Sequence, residues 1–166
     1  MRVEKLKAVE VTRIQPLQPL NPQPFKFVLR LPITQLCTMG PTVSHAIKIE
    51  VRSRFEVAHS DIRAGRYFFS YRITIHNLGR DTVQLQRRRW LIHDSLAPTR
   101  EVEGPGVVGE TPTLEPGQEF TYSSACDLRS AFGRMEGTYF MQRISDGLRF
   151  EVEVPAIELT YPFAAN

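Results

Sequence analysis

Apolar and polar residues take turns along most of this chain, with a period of two. Ile47, Ile49, Val51, Phe55 and Val57 alternate with Lys48, Glu50, Arg52, Arg54 and Glu56, which predicts a strand with one face on a core and the other in water. The pattern returns at 67 to 75, where Tyr67, Phe69, Tyr71, Ile73 and Ile75 share a face and β-branched and aromatic residues dominate. Asn77-Leu78-Gly79 then carries turn chemistry ahead of VQLQ at 83 to 86, so these two strands are expected to form a hairpin. In the second of them Val83 and Leu85 put odd positions inside, whereas Trp90 and Ile92 put even positions inside. A bulge near Arg87 is the expected cause of that change of face.

Further strands are predicted at Arg100 to Glu103, Glu119 to Cys126, Gly137 to Gln142 and Leu148 to Val154. Turns are expected between them at EPGQ (115 to 118), FGRMEG (132 to 137) and SDG (145 to 147). No stretch of ten or more residues shows a helical period. The pattern therefore reads as all-β, with seven or more antiparallel strands in two sheets packed face to face and joined by Greek-key connections. Trp90 belongs in the core of such a sandwich, with a stacking platform for a base or sugar as its functional alternative.

Proline sets the first 42 residues apart. They hold Pro16, Pro19, Pro22, Pro24, Pro32 and Pro41, half of the twelve prolines in 166 residues, and proline fixes φ while removing a backbone donor. QPLQPLNPQPF is thus an extended or flexible segment, with a Pro-rich ligand for an aromatic groove as the other reading. Two parts follow: an extension at 1–42 and a sandwich domain at 43–166. Met39 opens MGPTVSHAIKIEV just ahead of the regular pattern, so residues 1 to 38 also fit an upstream start codon.

Charge divides along the same line. The extension carries six Lys/Arg against two Glu, a net +4, while the remainder carries fifteen basic and sixteen acidic side chains, a net −1, which together give the formal net charge of +3. A nucleic-acid binder owes its affinity to a concentrated basic face; only Arg87-Arg88-Arg89 suggests one, and in a strand those three alternate faces. Nucleic acid is therefore disfavoured as a partner. The chain holds two cysteines, Cys37 and Cys126, too far apart in sequence for a C-x-x-C pair. With no run of about 18 apolar residues and no apolar stretch followed by a cleavage site at the start, a cytoplasmic protein without a membrane segment is expected.

GPGVVG, residues 104 to 109, spells G-x-G-x-x-G. In a dinucleotide fold such glycines precede a helix whose N-terminus meets a pyrophosphate. Here ETPTLEPG follows, and Pro112 and Pro116 forbid that helix. Two readings remain: Gly104, Gly106 and Gly109 form an anion-binding nest of backbone N–H groups, or they allow positive φ and tight packing in a long inter-strand loop. Glu101, Glu103 and Glu110 flank the loop and oppose a phosphate. His45, His59, His76 and His93 lack metal-ligand spacing, with His93-Asp94 the best local pair. Ser123 and Ser124 lack the strained strand-to-helix elbow of a serine hydrolase, and Cys126 has no neighbouring base in sequence. No catalytic residues, metal ligands or cofactor are assigned.

The runs YFFSYRITIHNLG (67 to 79), VQLQRRRWLI (83 to 92), EVEGPGVVGETPTLEPGQEFTYSS (101 to 124) and M-x-G-x-Y (135 to 139) resemble the ApaG domain family over roughly residues 45 to 162. The resemblance implies a fibronectin type III/immunoglobulin-like β-sandwich. It also implies an association with cobalt resistance and magnesium efflux, and, from the domain's recurrence in F-box proteins and a polymerase-interacting protein, a role in protein–protein interaction. Tyr122-Ser-Ser-Ala125 departs from the family's Tyr-x-Ser-Gly. The expectation is a non-enzymatic binding module with a protein partner and a homodimer open to it by edge pairing. The alternative is a binder of pyrophosphate-containing nucleotides through the glycine loop.

Overall fold

The computed structural model describes residues 37–162, with side chains from residue 40 onward. It contains nine strands: β1 (Cys37–Ser44), β2 (Ile47–Phe55), β3 (Tyr67–Asn77), β4 (Val83–Asp94), β5 (Ala97–Pro105), β6 (Thr113–Leu114), β7 (Glu119–Leu128), β8 (Phe132–Arg143) and β9 (Arg149–Thr160). One sheet runs β1-β2-β3-β7; the other runs β5-β4-β8-β9, with β6 pairing the start of β4. Every pairing is antiparallel. The chain changes sheet three times, between β3 and β4, β6 and β7, and β7 and β8.

The period-two pattern explains the core directly. Ile47, Ile49 and Val51 of β2 and Phe69, Tyr71, Ile73 and Ile75 of β3 are all buried, facing Trp90, Tyr139, Val152 and Ile157 of the other sheet. The bulge foreseen near Arg87 is present: Leu85 pairs with Met141 but Arg87 with Phe140, so one extra β4 residue is inserted there. Trp90 is 3 % exposed and meets Tyr71 and Tyr139 with ring centroids 6.0 and 6.1 Å away. Its place is in the core.

Three expectations are corrected. Strands β3 and β4 do not form a hairpin: residues 78–82 carry the chain from one sheet to the other, because both strands have apolar faces that pack on each other across the core rather than side by side. FGRMEG is not a turn but the first half of β8. Its glycines serve packing: a Cβ on Gly137 would lie 2.2 Å from the Trp90 ring, and one on Gly133 would lie 2.6 Å from the His93 carbonyl. Val57, placed in the β2 face by pattern, begins a 3-10 turn and is exposed.

At the N-terminal side, β1 starts at Cys37, inside the segment that proline content assigned to the extension. Pro41 is accommodated because β1 is an edge strand and Gly40-Pro41 sits at a register shift between Met39 and Thr42. The readings made for Pro16 to Pro32 and for the basic start lie outside the described residues. No helix among the described residues is long and apolar enough to cross a membrane.

Candidate functional site

The glycine motif interrupts a sheet edge. β5 runs along β4 from Asp94 back to Arg87, and β6 resumes beside Gln84 and Val83. Residues 106–112 are an excursion between those two stretches. Both ends are tied to β4, by Gly106 N–H to the Gln86 carbonyl at 2.9 Å and by Leu85 N–H to the Pro112 carbonyl at 3.0 Å. Inside the excursion Val107 and Glu110 exchange backbone bonds of 2.8 and 2.9 Å around Val108 and Gly109, whose φ values are +51° and +80°. Positive φ at both central residues is the signature of the tightest hairpin turn.

Each glycine has a separate task. Gly106 (φ +51°) lies so close to the Glu110 carbonyl that a Cβ would meet it at 1.9 Å; Gly109 supplies the second positive φ of the turn; Gly104 leaves 3.3 Å for the Arg88 guanidinium. That arginine faces inward, two positions before Trp90 and on its side of β4. Its Nη1 donates to the carbonyls of Pro105 (3.0 Å) and Gly106 (2.8 Å). Val107 is wholly buried beneath the loop, while Val108 stands 60 % exposed at its tip. The N–H groups of Gly106, Val107 and Glu110 are all bonded to carbonyls of this chain. Those of Val108 and Gly109 have no partner among the described residues.

Inward of the loop lies a polar cluster that the sequence reading missed. The Tyr122 and Tyr139 hydroxyls are 2.6 Å apart and buried, and burial raises the pKa of Tyr71, Tyr122 and Tyr139 alike, with Arg88 opposing in each case. These groups stay neutral at physiological pH. Their signal was present in the parity shift at the bulge, which moves Arg88 to the Trp90 side of the strand. Arg87 and Arg89 are left outside, with their guanidiniums 5.7 and 5.9 Å from the Phe140 ring centroid.

The other candidate residues are not brought together. His45 stacks on Phe150 and His59 on Phe68. His93 lies 3.2 Å from Thr99 Oγ1 and 3.5 Å from Glu136, while Asp94, on the opposite side of the strand, accepts from the backbone N–H groups of Leu96 and Arg129. His76 lies between Glu119 (3.1 Å) and Glu50 (3.8 Å) on the outer face of β3. Among the described residues no group of three or more His, Cys, Asp or Glu is arranged to hold a metal ion. A depression of about 460 Å³ lies apart from the glycine loop, at the sandwich end lined by His45, Asn77, Leu78, Arg80, Arg143 and Phe150.

Cys126 is 6 % exposed beside Arg100. Burial pushes its thiol up to about 12, and the Arg100 guanidinium opposes this only in part. Only the thiolate reacts with alkylating agents. In a Cys37→Ser background the native protein is therefore expected to resist iodoacetamide at pH 8 and to react fully in denaturant, as mass spectrometry would record. Rapid native alkylation would contradict the buried placement.

The ApaG domain model matches residues 57–143, which include β3 to β8 and the glycine loop. The chain is 46% identical over 124 residues to Protein ApaG of Brucella anthropi, covering 75% of this chain and 95% of that one. It belongs to the ApaG family. Protein ApaG of Bradyrhizobium diazoefficiens is 45% identical over 124 residues, again with 75% and 95% coverage. The crystal structure of the putative ApaA protein from Bordetella pertussis superposes with a TM-score of 0.68 at 35% identity, covering 74% of this chain and 98% of that one. The matches take in 95 to 98% of these relatives' own length.

Proposed function

We propose that this ApaG-family chain is a non-enzymatic binding module that contacts a protein partner through the glycine loop and the β5–β6 edge. The observation that carries the reading is how the loop uses its donors. Three of its N–H groups are committed to carbonyls of the chain and two of its carbonyls to Arg88, so the loop is held as a rigid knob that displays Val108. A fixed apolar tip suits a protein surface, because little conformational entropy is lost when it docks. The family's association with cobalt resistance and magnesium efflux is then proposed to run through that partner, in the cytoplasm.

Val108→Asp tests this. Proteins captured by the full-length wild type under native salt are expected to be lost with the variant and kept with Leu96→Ser, which alters another exposed apolar residue. Retention of every partner by Val108→Asp overturns the reading. The alternative, a pyrophosphate-containing nucleotide over the same loop, rests on the free N–H groups of Val108 and Gly109. Amide NMR titration with a dinucleoside polyphosphate, with and without magnesium or cobalt, decides it: saturable shifts at Gly104 to Gly109 support it, and silence at millimolar ligand removes it.

A further inference from the structure

Both outer faces mix paired and unpaired charges. On the β1-β2-β3-β7 sheet Lys48 pairs with Glu50, His76 with Glu119 and Arg54 with Glu56, and Thr74 bonds Thr121, while Arg52 is exposed without an ion-pair partner among the described residues. The other outer face leaves several charges uncompensated. Arg89, Glu151 and Glu153 are exposed and have no ion-pair partner among the described residues. In their midst Phe140, an aromatic side chain of β8 that points away from the core between buried Tyr139 and Met141, is only partly buried.

Strand register places these residues in two straight rows. Arg87 pairs with Phe140 and Phe140 with Glu151; Arg89 pairs with Thr138 and Thr138 with Glu153. Each row reads cation, β8 residue, anion across β4, β8 and β9; Arg87 is also ion-paired with Glu103 of β5, so both charges are unpaired only in the Arg89 row. A two-fold axis along β8 in the plane of the face superimposes each row on its own reverse. Phe140 then meets Phe140 of the partner subunit, Arg87 meets Glu151 of the partner subunit, and Arg89 meets Glu153 of the partner subunit.

We infer that this face is an isologous dimer interface, and that the occupant is a second copy of this chain. Self-complementarity is what a two-fold contact requires, since every residue must suit its symmetry mate's opposite number. The aromatic and arginine residues at its centre are the types that dominate interface energetics. Sheet twist lifts the corners of the two faces apart, so contact centres on the two rows. This interface uses neither the glycine loop nor a sheet edge, and it stands independently of the binding role proposed above.

The test is charge reversal followed by complementation, read by sedimentation equilibrium of the full chain from about 1 to 100 μM, within the range spanned by interfaces of ordinary size. Wild type is expected to dimerise. Arg89→Glu and Glu153→Arg each place two like-charge pairs across the axis, and each should weaken association about 100-fold or more. Mixing the two single variants restores opposite charges at both pairs, so a heterodimer should form where neither forms a homodimer; the double variant should dimerise again. A monomeric wild type, a dimer indifferent to both reversals (as edge pairing would be), or failure of the mixture to associate each overturns the inference. Both sites are exposed, and an unchanged near-ultraviolet signal from Trp90 confirms that the variants are folded.

Discussion

Gly137→Ala is expected to destabilise the domain by about 3 kcal/mol, at the upper end of what overpacking a filled core costs. The added methyl would lie 2.2, 2.5 and 2.8 Å from Cζ3, Cε3 and Cη2 of Trp90. Trp90 has no room to retreat. Tyr71 and Tyr139 hold its ring from two sides, and Gly137 pairs with Trp90 across β4 and β8 and with Val154 on β9, so the backbone is held as well. Gly137 does not use a positive φ; it serves only as empty space above an indole. A lower midpoint in urea denaturation, with little change in slope, is the expected measurement. Two comparisons isolate the cause. Gly40→Ala, where a Cβ meets nothing within 4 Å, should change stability by less than about 0.5 kcal/mol. Combining Gly137→Ala with Trp90→Leu should cost clearly less than the sum of the separate changes, since the two share one volume. Additive costs would show that the clash is not what Gly137 avoids.

Asn77→Leu is expected to cost a further large amount, about 3 to 4 kcal/mol, by abandoning buried polar groups. Asn77 is 1 % exposed at the end of β3. Its Nδ2 donates to the carbonyls of Asp81 (2.8 Å) and Leu114 (3.0 Å), and its Oδ1 accepts from Gly79 N–H at 3.0 Å. Its backbone bonds Gln118 and Gly117 at 2.9 and 2.8 Å. The side chain thus ties the 78–82 crossover to β6, while the backbone of the same residue holds the turn that leads into β7. Leucine nearly matches its size, keeps the two backbone bonds and supplies none of the three side-chain bonds. Asn77→Asp keeps the acceptor but turns the donor into an anion facing two carbonyls, so its carboxyl pKa should rise in the folded state. Its deficit relative to wild type should then be smallest at low pH and grow as pH rises through that pKa. Hydrogen exchange should show the 78–82 and 113–118 amides losing protection first in either variant. If those amides stay protected and the thermal midpoint holds, the crossover does not depend on Asn77.

These two residues also show where sequence reading succeeds and where it stops. Alternation is local: whether Ile73 and Arg72 fall on opposite faces depends on backbone geometry alone, so most strands, their inward faces and the bulge at Arg87 were legible residue by residue, whereas β1, the two-residue β6 and the first half of β8 were not. The ApaG-like runs were legible for the same reason, as contiguous text. Asn77-Leu78-Gly79 has the same turn chemistry whether the next strand pairs alongside or crosses the core, and nothing nearby distinguishes the two. The glycines of FGRMEG look like turn formers because the indole that demands Gly137 is 47 positions away in the chain. For the candidate site the division is similar. The sequence located the glycine loop and excluded a helix after it, on the evidence of Pro112 and Pro116. That Gly106 is bound to Gln86, that Arg88 reaches back to close the loop, and that Arg89 and Glu153 stand in one row across β8 are matters of strand pairing. By itself, then, the sequence determined most of the strands, their faces and the family, because these depend on neighbours along the chain. Only the tertiary structure decided which strands pair, in what register, and hence which charges and glycines meet, because pairing is settled by the burial of all the apolar faces at once.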